Sequence, residues 1–447
     1  MSGVYALTPK KSKVPRKKLI VGISVSVAIG VAVALTVGLV LHFKLKDDGD
    51  TPAQVLRVDC YPELRRDAGK MSTNSRACQE RGCVWQKQDE PGAPWCYFPA
   101  GHGYHVISGP DLKDNVYRLE LRRTPSPPLY NTTVYEEVGV EVDMQTDNRL
   151  RVKIFPTNVS RWEIPQIALD IEGSRLATST KTAQYDVTFS ENPFGVVVTR
   201  KSSGAVVFNS SQPGLVLSDQ FLQLTTRLTN ENVYGFGEHR HESFKHDMRW
   251  RLWSMFTRDS GPNSDWNLYG QHPVYMNVED DKKANMVLLK NSNAIEVLLQ
   301  PHPDPAITYR TIGGVLDFYI FLGDSPADVV KHYLKAIGLP VFPPYWSLGY
   351  HLCRWGYANI SDMQMVINRT MEAKIPYDGQ WADVDTFHKS YVFTYDTKKW
   401  ANFPALVRQL RKDNMHFVTI VVSLWESQHA LCDHCGPRYR IEPDRDR

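Results

Sequence analysis

Residues 380–387 read QWADVDTF. Asp383 and Asp385 close a segment, 376–385, whose neighbours have strand character. Upstream, YWSLGYHL (345–352) reads as a buried strand. SDMQMVINRTMEAK (361–374) reads as a helix, with a Ser-led, acidic start and apolar residues at helical spacing. Downstream, FPALVRQLRKDN (403–414) predicts a second helix and HFVTIVV (416–422) a third strand. Strand, helix, strand, helix, strand opens a parallel α/β structure, most economically a (β/α)8 barrel. Polar residues at the C-terminal strand ends of such a barrel line its active site, and a spacing of two puts Asp383 and Asp385 on one face. A solvated strand terminus or a metal pair are the other readings of two such carboxylates.

Before residue 340 the rhythm is different. NRLRVKIFP (148–156) alternates, and YDVTFSENPFGVVVTR (185–200) reads as a hairpin turning at Glu191-Asn192-Pro193. FLQLTTRL (221–228), ANMVLLKNSNAIEVLLQP (284–301) and GGVLDFYIFLG (313–323) are rich in branched and aromatic residues. Many short strands with regular turn signals indicate a β-sandwich. Internal repeats and low-complexity tracts are absent from the sequence.

The formal charge of +3 is unevenly placed. Residues 1–18 carry six Lys and Arg and no acid, which leaves 3 − 6 = −3 for the remainder. No basic surface remains to argue for nucleic acid. Next comes LIVGISVSVAIGVAVALTVGLVL, residues 19–41, 23 residues without a charge. As a helix it extends about 34 Å, enough to cross a bilayer. The basic cluster lies on its N-terminal side, so the positive-inside rule predicts a type II signal-anchor with the bulk of the chain outside or in a lumen. Ala32-Val33-Ala34 resembles a cleavage site but sits inside the run. Gly22, Ser26, Gly30, Ala34 and Gly38 recur every four residues, a spacing that permits a homodimer through the span or simply reflects small-residue usage in membrane helices.

Cysteines and glycosylation acceptors agree with that compartment. Asn131, Asn158, Asn209, Asn359 and Asn368 each begin an N-x-S/T triplet. Cys60, Cys78, Cys83 and Cys96 fall within 37 residues, the density of a small disulfide-stapled module. So small a module buries too little core by itself and is expected to pack on the domain that follows. Trp85 and Trp95 could stack on a sugar, but filling that small core is the plainer use. Cys353 is expected to be a buried thiol. His239 and His241, and Cys432-Asp433-His434-Cys435, lack matched further ligands, so no metal is assigned.

Longer motifs carry a resemblance. FPPYWSLGYHLCRWGY (342–357), IPYDGQWADVDTF (375–387), FPAL (403–406), NLYGQHPVYM (267–276) and YGFGEH (234–239) together resemble glycoside hydrolase family 31, in its acid α-glucosidase, maltase-glucoamylase and sucrase-isomaltase branch. C-x-x-R-G-C-x-W followed by P-W-C-Y-F resembles a trefoil domain, with Val84 where that family has its fifth cysteine. The trefoil resemblance implies Cys60–Cys83 and Cys78–Cys96. The hydrolase resemblance implies retaining release of terminal glucose from maltose- and glycogen-type chains, with no cofactor and α-glucoside oligosaccharides as partners. It assigns Asp383 to hydroxyls of the terminal glucose, Trp355 to the pocket wall and Asp259 to the rim. A carboxylate accepts paired hydrogen bonds from vicinal hydroxyls, and an indole covers the apolar face of a pyranose. Asp385 is expected to buttress the strand end.

The family's nucleophile lies in a W-x-D-M-N-E motif, which these residues do not contain. After Val422 the wording departs from the family into SLWESQHALCDHCGPRYRIEPDRDR, so no catalytic carboxylate is assigned. The expected organisation is a cytosolic tail (1–18), a transmembrane signal-anchor (19–43), a stalk (44–56), a small disulfide-rich trefoil (57–100), a β-sandwich (101–340), the first part of an incomplete (β/α)8 barrel (341–422) and a divergent tail (423–447). Such a chain is expected to be inactive alone. The alternative is a non-catalytic, membrane-tethered carbohydrate-binding protein.

Overall fold

A computed structural model describes residues 56–63 and 75–421. The predicted anchor and the tail after residue 422, with Cys432 and Cys435, lie outside the described residues. Among the described residues no helix is long and apolar enough to cross a membrane. The chain divides into two compact units, the second beginning at Leu339.

The first unit opens with the disulfide module. A helix, Ser75–Glu80, precedes the antiparallel strands Val84–Trp85 and Cys96–Tyr97. Disulfides join Cys60 to Cys83 and Cys78 to Cys96, with Cα atoms 6.5 and 5.9 Å apart. This is the pairing the trefoil resemblance implies. Its buried core does not stand apart: among the described residues, Leu56, Val58 and Phe98 share it with Val216 and Ala306 of the following domain. Gly214 is required at that seam. Its φ is +91°, and a Cβ there would lie 2.6 Å from the Phe98 ring. Trp85 and Trp95 pack edge to face, centroids 5.9 Å apart, and the Trp95 indole N–H donates to the Gln88 carbonyl.

Two eight-stranded antiparallel sheets follow. One runs in the order Leu252–Met255, Ile295–Gln300, Ala306–Thr311, Phe221–Arg227, Val206–Asn209, Phe194–Arg200, Tyr185–Glu191, with Val216–Ser218 paired to Phe221–Arg227. The other runs Val233–Gly237, His272–Val278, Ala284–Leu289, Leu316–Gly323, Arg149–Pro156, Glu137–Thr146, Val116–Arg123, Tyr104–Lys113. Val140, Val152 and Ile320 of one sheet share a core with Val196, Leu224 and Tyr309 of the other. The run 284–301, read as strand-rich, divides between the sheets: Ala284–Leu289 belongs to one and Ile295–Gln300 to the other. A buried pair joins the sheets, with the Arg200 guanidinium donating to both Glu279 oxygens at 2.8 and 2.6 Å.

The longer helix of this unit, like the short Ser75–Glu80, is absent from the strand pattern read in the sequence. Pro326–Ile337 starts at Ser325, whose hydroxyl accepts from the Asp328 amide, and ends at Gly338. Its Val329, Tyr333 and Ala336 cover Met286, Tyr319 and Phe321 on the back of one sheet. Strands buried on both faces lose their alternation, which is why Leu316–Gly323 is buried throughout.

In the second unit, β1 (His351–Leu352), α1 (Ile360–Glu372), β2 (Gly379–Ala382), α2 (Phe403–Lys412) and β3 (His416–Thr419) succeed one another. The strands form a parallel sheet in the order β1-β2-β3. Met363, Val366 and Ile367 of α1 and Phe403, Leu406 and Leu410 of α2 pack with Ala382 in one core. Three expectations need correction here. Residues 345–352 are not one buried strand: Tyr345–Leu348 is a 3-10 turn and Tyr345 and Leu348 are exposed. Pro344 is the cause, since its carbonyl accepts from both the amide and the hydroxyl of Ser347, at 3.0 and 2.7 Å, and bends the chain. Helix α1 starts earlier than its Ser-led reading, because Asn359 caps it by accepting from the Asp362 amide, while Asp362 accepts from Ala358 N–H. Cys353 is exposed rather than buried, lying just past the end of β1.

Candidate functional site

Parallel pairing sends the loops after β1 and β2 out from the same edge of the sheet. Trp355 stands on the first and Asp383 on the second. Strand β2 ends at Ala382, so Asp383 and Asp385 do not share a strand face as the alternation predicted. Asp383 instead starts a 3-10 turn, Val384–Thr386, with its Oδ1 accepting from the Val384 amide at 2.6 Å. The Thr386 hydroxyl donates to the Asp383 carbonyl. Among the described residues the second carboxylate oxygen has no hydrogen-bond partner. Partial burial and then the Asp383 charge push the Cys353 thiol up from its ordinary value.

Asp385 has the buttressing place. Its Oδ2 accepts from the amides of Gly356 and Tyr357, at 2.6 and 3.0 Å, and its carbonyl accepts from the Trp400 indole. The turn carrying Asp383 is thereby tied to the loop carrying Trp355. Gly356 suits that loop because its φ is +102°, a region that side chains disfavour. Trp355 is left 75% exposed.

On the sheet face away from the helices lies an aromatic stack. The Trp381 indole donates to His351 Nδ1 at 2.9 Å, and Trp346 stacks on His416 with centroids 3.9 Å apart and planes 8° from parallel. No local pattern marks this stack, since its members come from three separate segments.

Asp259 belongs to the sandwich unit and lies exposed on the loop between Leu252–Met255 and His272–Val278. The Tyr269 hydroxyl donates to its Oδ1, a partner that sequence reading missed although Tyr269 lies in the quoted NLYGQHPVYM segment. Of the acceptor asparagines, Asn131, Asn158, Asn359 and Asn368 are exposed, whereas Asn209 is half-buried in a strand with its Oδ1 accepting from the Ser211 amide. The sulfurs of Cys60, Cys83 and Cys96 converge within 4.8 Å, but each is committed to a disulfide. His239 and His241 direct Nε2 at the carbonyls of Ser254 and Phe236, and His246 stands beside them.

Residues 52–99 match the trefoil (P-type) domain model, 139–297 the glycosyl hydrolase 31 N-terminal galactose mutarotase-like domain, and 340–436 the glycosyl hydrolases family 31 TIM-barrel domain. The last match runs past Val422, into the stretch read as a divergent tail. Intestinal sucrase-isomaltase of Oryctolagus cuniculus is 40% identical over 378 residues, 82% of this chain and 20% of that protein. Lysosomal alpha-glucosidase of Mus musculus is 37% identical over 82% of this chain and 37% of its own length. Probable maltase-glucoamylase 2 of Homo sapiens is 35% identical over 86% of this chain and 15% of its own. The chain therefore spans well under half the length of these relatives. A solved glucosidase II alpha subunit, bound to alpha3-Glc2, aligns over 81% of this chain and 46% of its own, with a TM-score of 0.61 at 17% identity, a likeness of fold.

Proposed function

Because this chain is of glycoside hydrolase family 31, with a trefoil before its sandwich and part of the barrel after it, we propose that it comes from a lineage of membrane-anchored α-glucosidases acting on terminal α-glucosidic bonds of maltose- and glycogen-type oligosaccharides. The observation that carries this reading is the pairing of Asp383 and Trp355. One offers an unpartnered carboxylate oxygen, the other an exposed indole face, and Asp385 ties their two loops together. Vicinal hydroxyls and the apolar face of a glucose are the chemistry that pair accepts. In the first unit, taken by itself, Asp259 is an exposed carboxylate acceptor for sugar hydroxyls, with the Tyr269 hydroxyl donating to it.

Retaining hydrolysis requires a nucleophilic carboxylate and an acid/base carboxyl about 5 Å apart across the bond. No W-x-D-M-N-E segment stands among these 447 residues, so the role we propose for them is sugar binding, with hydrolysis assigned to none of them. The apolar run 19–41 supports single-pass type II anchoring. The disulfides, the exposed asparagine acceptors and relatives whose names read intestinal and lysosomal support a lumenal or extracellular placement. A second reading, a membrane-tethered carbohydrate-binding protein, is favoured by the same exposed Trp355.

The test is to offer maltose to the full chain and measure both glucose release and binding. Binding without glucose release is expected, weakened about tenfold or more by Asp383→Ala and by Trp355→Ala. Turnover of maltose overturns the non-hydrolytic reading, and unaltered binding in both variants overturns the pocket.

A further inference from the structure

Three imidazoles converge on Trp253. The ring centroids of His239, His241 and His246 lie 5.1, 4.5 and 5.8 Å from that of Trp253, and His241 is 5.6 Å from His239 and 4.7 Å from His246. Each imidazole directs Nε2 at oxygen. His239 meets the Ser254 carbonyl at 2.6 Å and Asn267 Oδ1 at 3.2 Å. His241 meets the Phe236 carbonyl at 2.9 Å and His246 the Gly235 carbonyl at 2.8 Å. A carbonyl only accepts, so Nε2 carries the proton and Nδ1 is the basic atom. The Nδ1 atoms of His239 and His241 are buried without a partner. An acid proton taken there becomes a buried donor facing no acceptor.

Among the described residues, the charged groups around the cluster are exposed or engaged elsewhere: Glu296, opposite Ser254 in the paired strand, accepts from Arg310. The Arg251 guanidinium already lies 5.0 Å over Trp253 and pairs with Asp265 at 2.6 Å. Glu238 accepts from the Gly270 amide, Asp247 pairs with Arg249, and Lys245 donates to Asn232. Arg240 and Glu242 are exposed, and the Tyr275 and Tyr309 rings pack on Phe236. Burial holds the His246 imidazole down at about 4, with His241, His239 and Arg251 pushing the same way.

His239 also fastens a loop. Asn267 Oδ1, which it contacts, accepts from the Phe256 amide, and the Arg258 amide donates to the Leu268 carbonyl. Those ties close the base of the segment that carries Asp259, and Tyr269 follows directly after it. We propose that His239, His241 and His246 form an acid-sensitive latch: neutral imidazoles hold the 256–270 loop closed, and a second proton in the cluster drives the rings apart and frees it. Any bearing on sugar rests on the assignment of Asp259, whereas the latch itself does not.

Hydrogen exchange on the full chain, corrected for the intrinsic pH dependence of exchange, tests it. Between about pH 7 and about pH 5, protection of the Phe256, Arg258 and Leu268 amides is expected to fall about tenfold or more, while strands Ile295–Gln300 and Ala306–Thr311 keep theirs. His239→Gln keeps an N–H near the position of Nε2 and cannot titrate, so its loop should hold at both pH values. His241→Phe, which keeps a ring and removes a proton site, should blunt the response even if the first variant misfolds. Equal loop protection at both pH values in the unaltered chain, or an undiminished fall in His241→Phe, overturns the latch.

Discussion

Asp383 and Asp385 are two residues apart and do opposite work. The Asp385 carboxylate gathers two backbone amides of the neighbouring loop, and hydrogen bonds to a charged acceptor contribute more than neutral ones. Asp385→Ala strands both amides, so the barrel unit should lose about 2 kcal/mol in chemical denaturation. Asp383→Asn keeps the one acceptor oxygen its turn uses and should stay within about 0.5 kcal/mol of the parent. A larger loss at Asp383 than at Asp385 would reverse the two roles. The sequence showed the pair and, through resemblance, the buttress. It misled on geometry because strand alternation stops at Ala382, where Asp383 begins a turn of its own.

At the level of elements, legibility followed local periodicity. The hairpin pairs Tyr185–Glu191 with Phe194–Arg200, as the turn at Glu191-Asn192-Pro193 predicts. Helix Pro326–Ile337 went unread although Ser325, Pro326 and Asp328 spell a capped start, because the strand rhythm around it dominated. Segment 345–352 reads in the sequence as one buried strand, against the turn that Pro344 imposes. No local pattern marks the Arg200–Glu279 pair: the partners are 79 residues apart, Arg200 ending a strand of one sheet and Glu279 following a strand of the other. The guanidinium also donates to the Ala284 carbonyl, and Asn285 donates to Glu279. Removing one partner leaves the other charge buried, so Glu279→Ala should cost about 3–5 kcal/mol, read as a lowered denaturation midpoint. A loss below about 1 kcal/mol would mean water reaches Arg200 in the variant.

Over the whole molecule, buried histidines set a pH dependence. Burial, helped by Arg123, holds His102 down at about 4, burial does the same for His246, and His272 is lowered too. A depressed value means that the unfolded chain takes protons the folded chain refuses. Stability is therefore full above the ordinary histidine value near 6.5 and drains away as pH falls toward 4. By about pH 5 each of His102 and His246 should have removed on the order of 2 kcal/mol. Denaturation free energies measured at about pH 7 and about pH 5 check this, and a flat profile would contradict it.

The seam at Gly214 bears on how the first unit can be inherited or engineered. Among the described residues, Val58 and Phe98 pack in an interior shared with Val216 and Ala306. A scissor placed near residue 100 would open that shared interior and leave greasy halves on both fragments. Gene fusions, exon shuffling or a laboratory chimera must carry the cysteine-stapled head and the sandwich as one piece, with the natural cutting place after Gly338.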